Sequence, residues 1–312
     1  MSIVKSFSFP KGEIRGDTFY IKHNSKSFTV IDCYLLANSV NESNNRQKEI
    51  IDEIIEQSKG RIRRFISTHP DNDHIAGIDE LLKRWPTTNF YAVKNCIRPD
   101  KKNSSLMKYI EMKDNFNFAI EKGIKRCWLN NSNNENDGSG INFCWPIINN
   151  EKFNEALKNV SNGQKVNDIC PIFTYSIKNG ATYMWMGDLE TDMQQEYYDT
   201  CSKNIPIVNI LFQPHHGRKS ASIPTALLDA LNPQLIIIGN APSEYIDYGN
   251  SRMTITQNTS GDLVFVNDDD GYVHIYSQNK INNKPACLKK LLLKYKSPDK
   301  GSPFYCGSLK VR

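Results

Sequence analysis

No window of the 312-residue sequence approaches the ~18 consecutive apolar residues that a membrane-spanning helix needs. The opening stretch MSIVKSFSFPKGEIRGD also lacks the sustained apolar core of a secretory leader. These two absences make a cytoplasmic protein with reduced thiols and no membrane association the expectation. CxxC pairs are missing too: the eight cysteines, at 33, 96, 127, 144, 170, 201, 287 and 306, stand singly, which argues against a zinc ribbon or a disulfide framework. They read as buried free thiols. Histidine is scarce, with six in all (His23, His69, His74, His215, His216 and His274), and none lies between His74 and His215.

What is present is a globular composition, 39% hydrophobic with 10% aromatics, on a chain long enough to bury a large core. One large domain over 1–279 with a basic tail over 280–312 is the expected organisation. That tail holds nine Lys or Arg against one acid, Asp299, a formal +8 of the chain's net +5, so the rest sits at −3. Its segment LKKLLLKYK reads as an amphipathic helix that packs leucines on the core and leaves lysines in water. Contact of those lysines with nucleic-acid phosphates is the other reading.

Hydrophobic periodicity supplies the elements. Residues 14–37 alternate as two strands around the turn Asn24-Ser25-Lys26-Ser27. Ile50, Ile51, Ile54 and Ile55 share one helical face, and a strand at 61–67 follows. Then come a helix in GIDELLKRWP, a strand at NFYAV, a helix over 104–121, a strand at RCWL and an exposed polar loop over 130–140. Two alternating runs flank Asn179-Gly180, a strong hairpin signal. A helix at 191–202, the strand IVNILFQP, a helix at 223–231, the strand LIIIGN and the pair LVFVN and YVHIY complete the pattern. Strands early and late with helices interspersed suggest an α/β fold, a four-layer αββα sandwich.

The chemistry concentrates in STHPDNDHIAG, where His69, Asp71, Asp73 and His74 occupy six positions directly behind the apolar strand residues Phe65 and Ile66. A buried ionic cluster is costly unless its charges are paired or bind metal. His69 and Asp71, two apart, can point one way, while Asp73 and His74 face a second position nearby, so one loop can serve two cations. The alternative reading is a helix N-cap, with Asp73 and His74 preceding IAGIDELL.

The loop resembles the signature His-x-His-x-Asp-His of the metallo-β-lactamase superfamily, with Asp71 in place of the second His. The Asp-for-His form followed by Ile-x-Gly resembles in particular the hydrolase domain of ComEC-type DNA-uptake proteins. Further landmarks match in order. RGDTFYI and FTVIDC are similar to the family's Gly-Asp hairpin and the strand ending in Asp32. VNDICPIFTYSI is similar to its Asn-x-x-Ser strand with Cys170 in the serine position, YMWMGDLE to its Gly-Asp motif, and ILFQPHHGRKSAS to its His-His-Gly-x-x-x-Ser loop. The resemblance spans about residues 12–277.

It implies a metallo-β-lactamase fold and two divalent metal ions, Zn or Mn with Mg possible. His69 and Asp71 would hold one, Asp73 and His74 the other, and Asp188 would bridge both. One of His215 and His216 would complete the second site, with His215 preferred as ligand and His216 lining the pocket. Asp73 would also orient the attacking water and accept its proton, with His216 and Lys219 as further catalytic candidates. Lys219, Ser220 and Ser222 could bind a phosphate, and Tyr248 is a substrate contact by alignment alone; a solvated loop is the structural reading of the first three. No histidine supplies a third ligand to the first site, and Asn250 stands where relatives carry a His in Tyr-Gly-His-Pro. The exchange to Asp71 moves the site toward hard oxygen donors, which suits Mn²⁺ or Mg²⁺ beside Zn²⁺. The implied function is a hydrolase of phosphodiester bonds, DNA foremost. The rival readings are a hydrolase of a small ester, thioester or cyclic nucleotide, and a non-catalytic scaffold that binds a protein partner.

Overall fold

The computed structural model describes residues 1–9, 16–35, 43–115, 118–131, 138–248, 253–268, 270–291 and 297–312. The strands of its first half are β1 (Ser2–Ser6), β2 (Phe19–Lys22), β3 (Ser27–Ile31), β4 (Ile62–Ile66), β5 (Asn89–Ala92), β6 (Phe118–Ala119) and β7 (Ile141–Trp145). Those of the second half are β8 (Ile172–Ser176), β9 (Thr182–Trp185), β10 (Ile210–Phe212), β11 (Leu235–Ile238), β12 (Thr254–Thr256), β13 (Leu263–Asn267), β14 (Tyr272–Ser277) and β15 (Phe304–Lys310). Helices are α1 (Ser43–Gln57), α2 (Asn72–Ile75), α3 (Ile78–Arg84), α4 (Ser104–Asn115), α5 (Cys127–Asn130), α6 (Glu151–Ser161), α7 (Thr191–Cys201), α8 (Thr225–Leu231) and α9 (Gln257–Ser260).

Two sheets result, one of nine strands in the order β15-β14-β13-β1-β2-β3-β4-β5-β6 and one of six in the order β12-β11-β10-β9-β8-β7. The period-2 alternation of each strand decides which residues enter which layer. Along the larger sheet, Phe19, Ile21, Ile66, Tyr91 and Phe265 face the smaller sheet, in one core with Phe173, Trp185 and Phe212. Tyr20, Phe65, Phe90, Val264 and Val266 face outward onto Ile50, Ile51 and Ile54 of α1, Leu81 and Leu82 of α3, and Leu106 and Tyr109 of α4. On the far side of the smaller sheet, Phe153 and Val160 of α6, Met193 and Tyr197 of α7, and Leu227 and Leu231 of α8 close the core. Helices, sheet, sheet, helices is thus the order of layers, as the sequence suggested. Among the described residues no helix is long and apolar enough to cross a membrane.

Several sequence expectations shift. The stretch RCWL is not a strand: Cys127–Asn130 forms α5, and Arg126 ahead of it stacks over Phe118 with its guanidinium carbon 4.7 Å from the ring centroid. The helix expected over 104–121 stops at Asn115, and β6 follows at Phe118–Ala119. His23 lies just past β2 rather than within a strand. Most of the polar loop, residues 132–137, lies outside the described residues, as do Asn250 and residues 292–296 of the expected amphipathic helix. Residues 288–291 are not helical, Lys289 instead making a β-bridge with Ser308. Beyond them, β15 pairs antiparallel with β14 and becomes an edge of the nine-stranded sheet.

The fold positions the site by parallel pairing. β3, β4 and β5 run parallel in one sheet, and β9, β10 and β11 in the other. Loops after β3, β4, β9 and β10 therefore gather beyond the C-terminal ends of their strands, where open α/β sheets present ligand sites. Backbone hydrogen bonds stitch these loops together: Asp17 N to Asp73 O at 3.0 Å, Cys33 N to His74 O at 2.7 Å and His215 N to Gly187 O at 3.0 Å.

Candidate metal centre

The loop after β4 runs through Ser67 to Asp71 and feeds α2. Its start is pinned by Asp32, which accepts from Thr68 N at 2.8 Å and from Thr68 Oγ1 at 2.7 Å. The helix-capping alternative does not describe it: Asp71 occupies the N-cap position and makes no side-chain cap hydrogen bond, while Asp73 and His74 lie inside the first turn. Gly187, which precedes Asp188, has φ +52, and a Cβ there would stand 2.8 Å from Thr68 Cβ and 3.0 Å from Cys170 Sγ. Only glycine lets the smaller sheet's loop approach this closely.

Two groups of ligand-type atoms result, each within 4.8 Å of one another: Asp73, His74, Asp188 and His216 form one, and His69, Asp71 and Asp73 the other. Within the first, His74 Nε2 lies 3.0 Å from Asp188 Oδ1, and His216 Nε2 lies 3.6 Å from Asp188 Oδ2 and 3.5 Å from Asp73 Oδ2. In the second, His69 Nε2 is 3.8 Å from Asp71 Oδ2. Asp73 belongs to both. His69, His74, Asp188 and His216 are buried, yet His69 Nε2, His74 Nε2, His216 Nε2 and Asp188 Oδ1 make no hydrogen bond beyond the cluster among the described residues. Buried polar atoms are rarely left so, and here they converge. Nitrogen and carboxylate donors turned inward, with no partners beyond one another, fit divalent cations.

The other ring nitrogens explain the orientation. His74 Nδ1 is 2.9 Å from Asp32 Oδ2, and His216 Nδ1 is 3.2 Å from Asp17 Oδ1. A carboxylate on Nδ1 holds the proton there and turns the Nε2 lone pair toward the cluster, the arrangement that supports metal-ligating histidines. Neither partnership was assigned from the sequence. Asp17 and Asp32 stood in the Gly-Asp hairpin and strand-end motifs, which was the signal available.

Electrostatics follow the crowding. Burial pushes His69 down to about 3, and burial, then Asp73, pushes Asp71 up to about 6. At Asp188 burial opposes the charged form, but His74 and His216 hold it well below the usual carboxylate range. Burial opposes imidazolium at His74 and His216 as well, and Asp188 with Asp32 or Asp17 outweighs it and raises both. These imidazoles favour a positive partner, and divalent cations would substitute for their protons.

Of the adjacent histidines, His216 and not the preferred His215 joins the four-residue group. His215 stands beside it, with Nε2 3.5 Å from Asp188 Oδ2 and Nδ1 3.0 Å from Glu190 Oε1. Arg218 Nη1 lies 3.0 Å from His215 Nε2. Glu190 and Arg218 were not singled out in the sequence. Lys219 and Ser220 are exposed, but Lys219 Nζ donates to Glu244 O at 3.0 Å, and Ser222 Oγ donates to Asp247 Oδ2 at 2.7 Å. Tyr248 is 51% exposed and lies one residue beyond Asp247. Cys170 is buried and its Sγ accepts from Asp188 N at 3.3 Å, so it braces the loop.

No family model matches the sequence, and no curated protein does so significantly. Among solved structures, the metallo-β-lactamase fold protein YhfI from Bacillus subtilis aligns with TM-score 0.44 and 9% identity over 86% of this chain and 99% of its own. CmlA, a diiron β-hydroxylase from Streptomyces venezuelae, aligns with TM-score 0.43 and 12% identity over 76% of this chain and 44% of its own. A long-form RNase Z from yeast aligns with TM-score 0.40 and 9% identity over 82% of this chain and 40% of its own.

Proposed function

We propose that this protein is a metal-dependent hydrolase that cleaves phosphodiester bonds, with DNA the foremost substrate. The reading rests on one observation above all: His74, Asp188 and His216, buried and carried by three separate loops, turn ligand atoms toward one another and toward Asp73 with no hydrogen-bond partner beyond the cluster. His74, Asp188 and His216, with Asp73, would hold one divalent cation, and His69 and Asp71, again with Asp73, the other. Zn²⁺, Mn²⁺ or Mg²⁺ would suit this mixed nitrogen and oxygen set.

Bound cations supply Lewis-acid chemistry, polarising a phosphoryl oxygen and acidifying water. Asp73 would orient the attacking water and accept its proton, a role supported by its carboxylate reaching both groups while its side chain stays 32% exposed. Asp188 fixes His74 and His216 relative to one another, and Asp32 and Asp17 keep their rings turned inward. His215 lines the same space from the Glu190 side. The preference for a nucleic-acid phosphodiester over a small ester comes from the resemblance of the motifs to the ComEC-type hydrolase domain.

Cleavage of plasmid and single-stranded DNA with added Mn²⁺ or Zn²⁺, wild type beside Asp73→Ala, tests this reading. The wild type should cut and the variant should lose about a hundredfold or more in rate. Equal cleavage by both, or turnover confined to lactone substrates, refutes it.

A further inference from the structure

We propose that Arg218 and Tyr245 form a substrate-anchoring edge beside the metal centre, and that the polymer it takes is a single-stranded polynucleotide. The edge is built rather than incidental. Arg218 makes a β-bridge with Ile246, and Asp247 N donates to Gly217 O at 2.8 Å. With the Lys219–Glu244 and Ser222–Asp247 bonds, these contacts clamp residues 244–247 onto the loop that carries His215 and His216. Tyr245 is thereby held in place while remaining 48% exposed.

Arg218 links this surface to the chemistry. Its guanidinium carbon lies 5.7 Å from the Tyr245 ring centroid, and Nη1 reaches His215, itself 3.5 Å from Asp188. A cation of fixed planar geometry next to the cluster suits a phosphate, and an exposed aromatic ring beside it suits a base face. Tyr248, 51% exposed, adds a second ring on the same stretch. A tyrosine can stack only on a base that has left its neighbours, which single strands offer and duplexes do not.

The opposite side of His215 is unsuited to a continuing strand. Its two ring nitrogens point in diverging directions, one to Arg218 and one to Glu190. Beyond Glu190 opens a cleft of about 660 Å³ that also reaches Asp71, where Glu155, Asp168, Glu190 and Asp192 stand against Lys152 and Lys165. Its acidic balance repels a polyanion, so the strand lies on the Arg218–Tyr245 side.

Only the position of the scissile bond rests on the hydrolase reading; the binding edge stands apart from it. Fluorescence anisotropy with a labelled, cleavage-resistant phosphorothioate deoxyoligonucleotide, single-stranded or as a blunt duplex, on the metal-loaded protein tests the edge on wild type, Tyr245→Ala and Tyr245→Phe. The single strand should bind about tenfold tighter than the duplex, Tyr245→Ala should lose about tenfold on the single strand, and Tyr245→Phe should keep wild-type affinity. Duplex bound as tightly as single strand, or Tyr245→Ala binding like wild type, overturns the proposal. Turnover of bis(p-nitrophenyl) phosphate by the metal-loaded wild type reads the hydrolase assignment separately. Its absence beside a preserved strand preference removes the catalysis and leaves the edge standing.

Discussion

His74 Nδ1 lies 2.9 Å from Asp32 Oδ2, a carboxylate 42 positions earlier that is itself held by Thr68. Asp32 sits at φ +53, a left-handed conformation that Asn tolerates well. Asp32→Asn therefore preserves backbone and volume while removing the charge that fixes the His74 proton on Nδ1. Metal affinity should fall about 10- to 100-fold, measured by competition with a chromogenic chelator. An unchanged affinity in a folded variant would show that Asp32 is no support for the metal centre.

Cation binding should stabilise the chain by mass action. At a free Mn²⁺ or Zn²⁺ concentration about a hundred times Kd the folded state gains about 2.7 kcal/mol, seen as a rise in Tm by scanning calorimetry. Asp188→Asn, which takes a charge from the carboxylate between His74 and His216, should lose most of that rise. A wild-type Tm indifferent to both metals would contradict the assignment.

A histidine outside the metal centre adds to acid sensitivity. His23 is buried, and burial, then Arg64 and Arg61, push it well below 6.5. Its Nε2 is 2.8 Å from Thr29 Oγ1. Below pH 6.5 the unfolded chain takes up a proton that the folded chain does not. The contribution of His23 to stability thus falls as the pH drops from about 6.5 toward the folded-state value and is flat above. Urea unfolding of wild type and His23→Gln at about pH 7.5 and about pH 5.5 checks this: the variant should lose about 1.4 kcal/mol less on acidification. Parallel losses would exclude His23 as the titrating group.

Lys5 joins three distant segments. Its ammonium, 1% exposed, lies 2.6 Å from Glu53 Oε2 on α1 and 2.8 Å from Asp299 Oδ2 in the C-terminal segment. Removing one partner leaves a buried cation undercompensated. Glu53→Gln should cost about 2 kcal/mol by urea unfolding, below the usual range for a broken buried pair because Asp299 and, at 3.6 Å, Asp262 remain. A cost near zero would mean that water already screens the pair.

Elements governed by neighbours in sequence were legible. Asn179, at φ +56, turns the β8–β9 hairpin as its Asn-Gly pair indicated, and Ile50, Ile51 and Ile54 of α1 are buried as their spacing indicated. Short elements were not. In α5, Cys-Trp-Leu-Asn folds as a helix where RCWL read as a strand, since local preference is too weak a guide over so brief a run. The helix α6 passed unassigned although Asn150 caps it by accepting from Phe153 N at 2.8 Å, a signal present in the sequence. β15 passed unassigned, because its pairing with β14 joins stretches separated by residues 278–303.

The sequence by itself determined the donor set: histidines and carboxylates in spaced motifs, each behind an apolar strand whose period buries one face. Which donor faces which point was decided by tertiary structure. His215 and His216 are the same residue type side by side, at φ +50 and +55, and local preference does not separate them. The bond from His215 N to Gly187 O and the approach of Asp17 to His216 turn one ring toward Glu190 and the other toward Asp73 and Asp188. Those contacts join residues far apart along the chain, so they exist only once both sheets have closed.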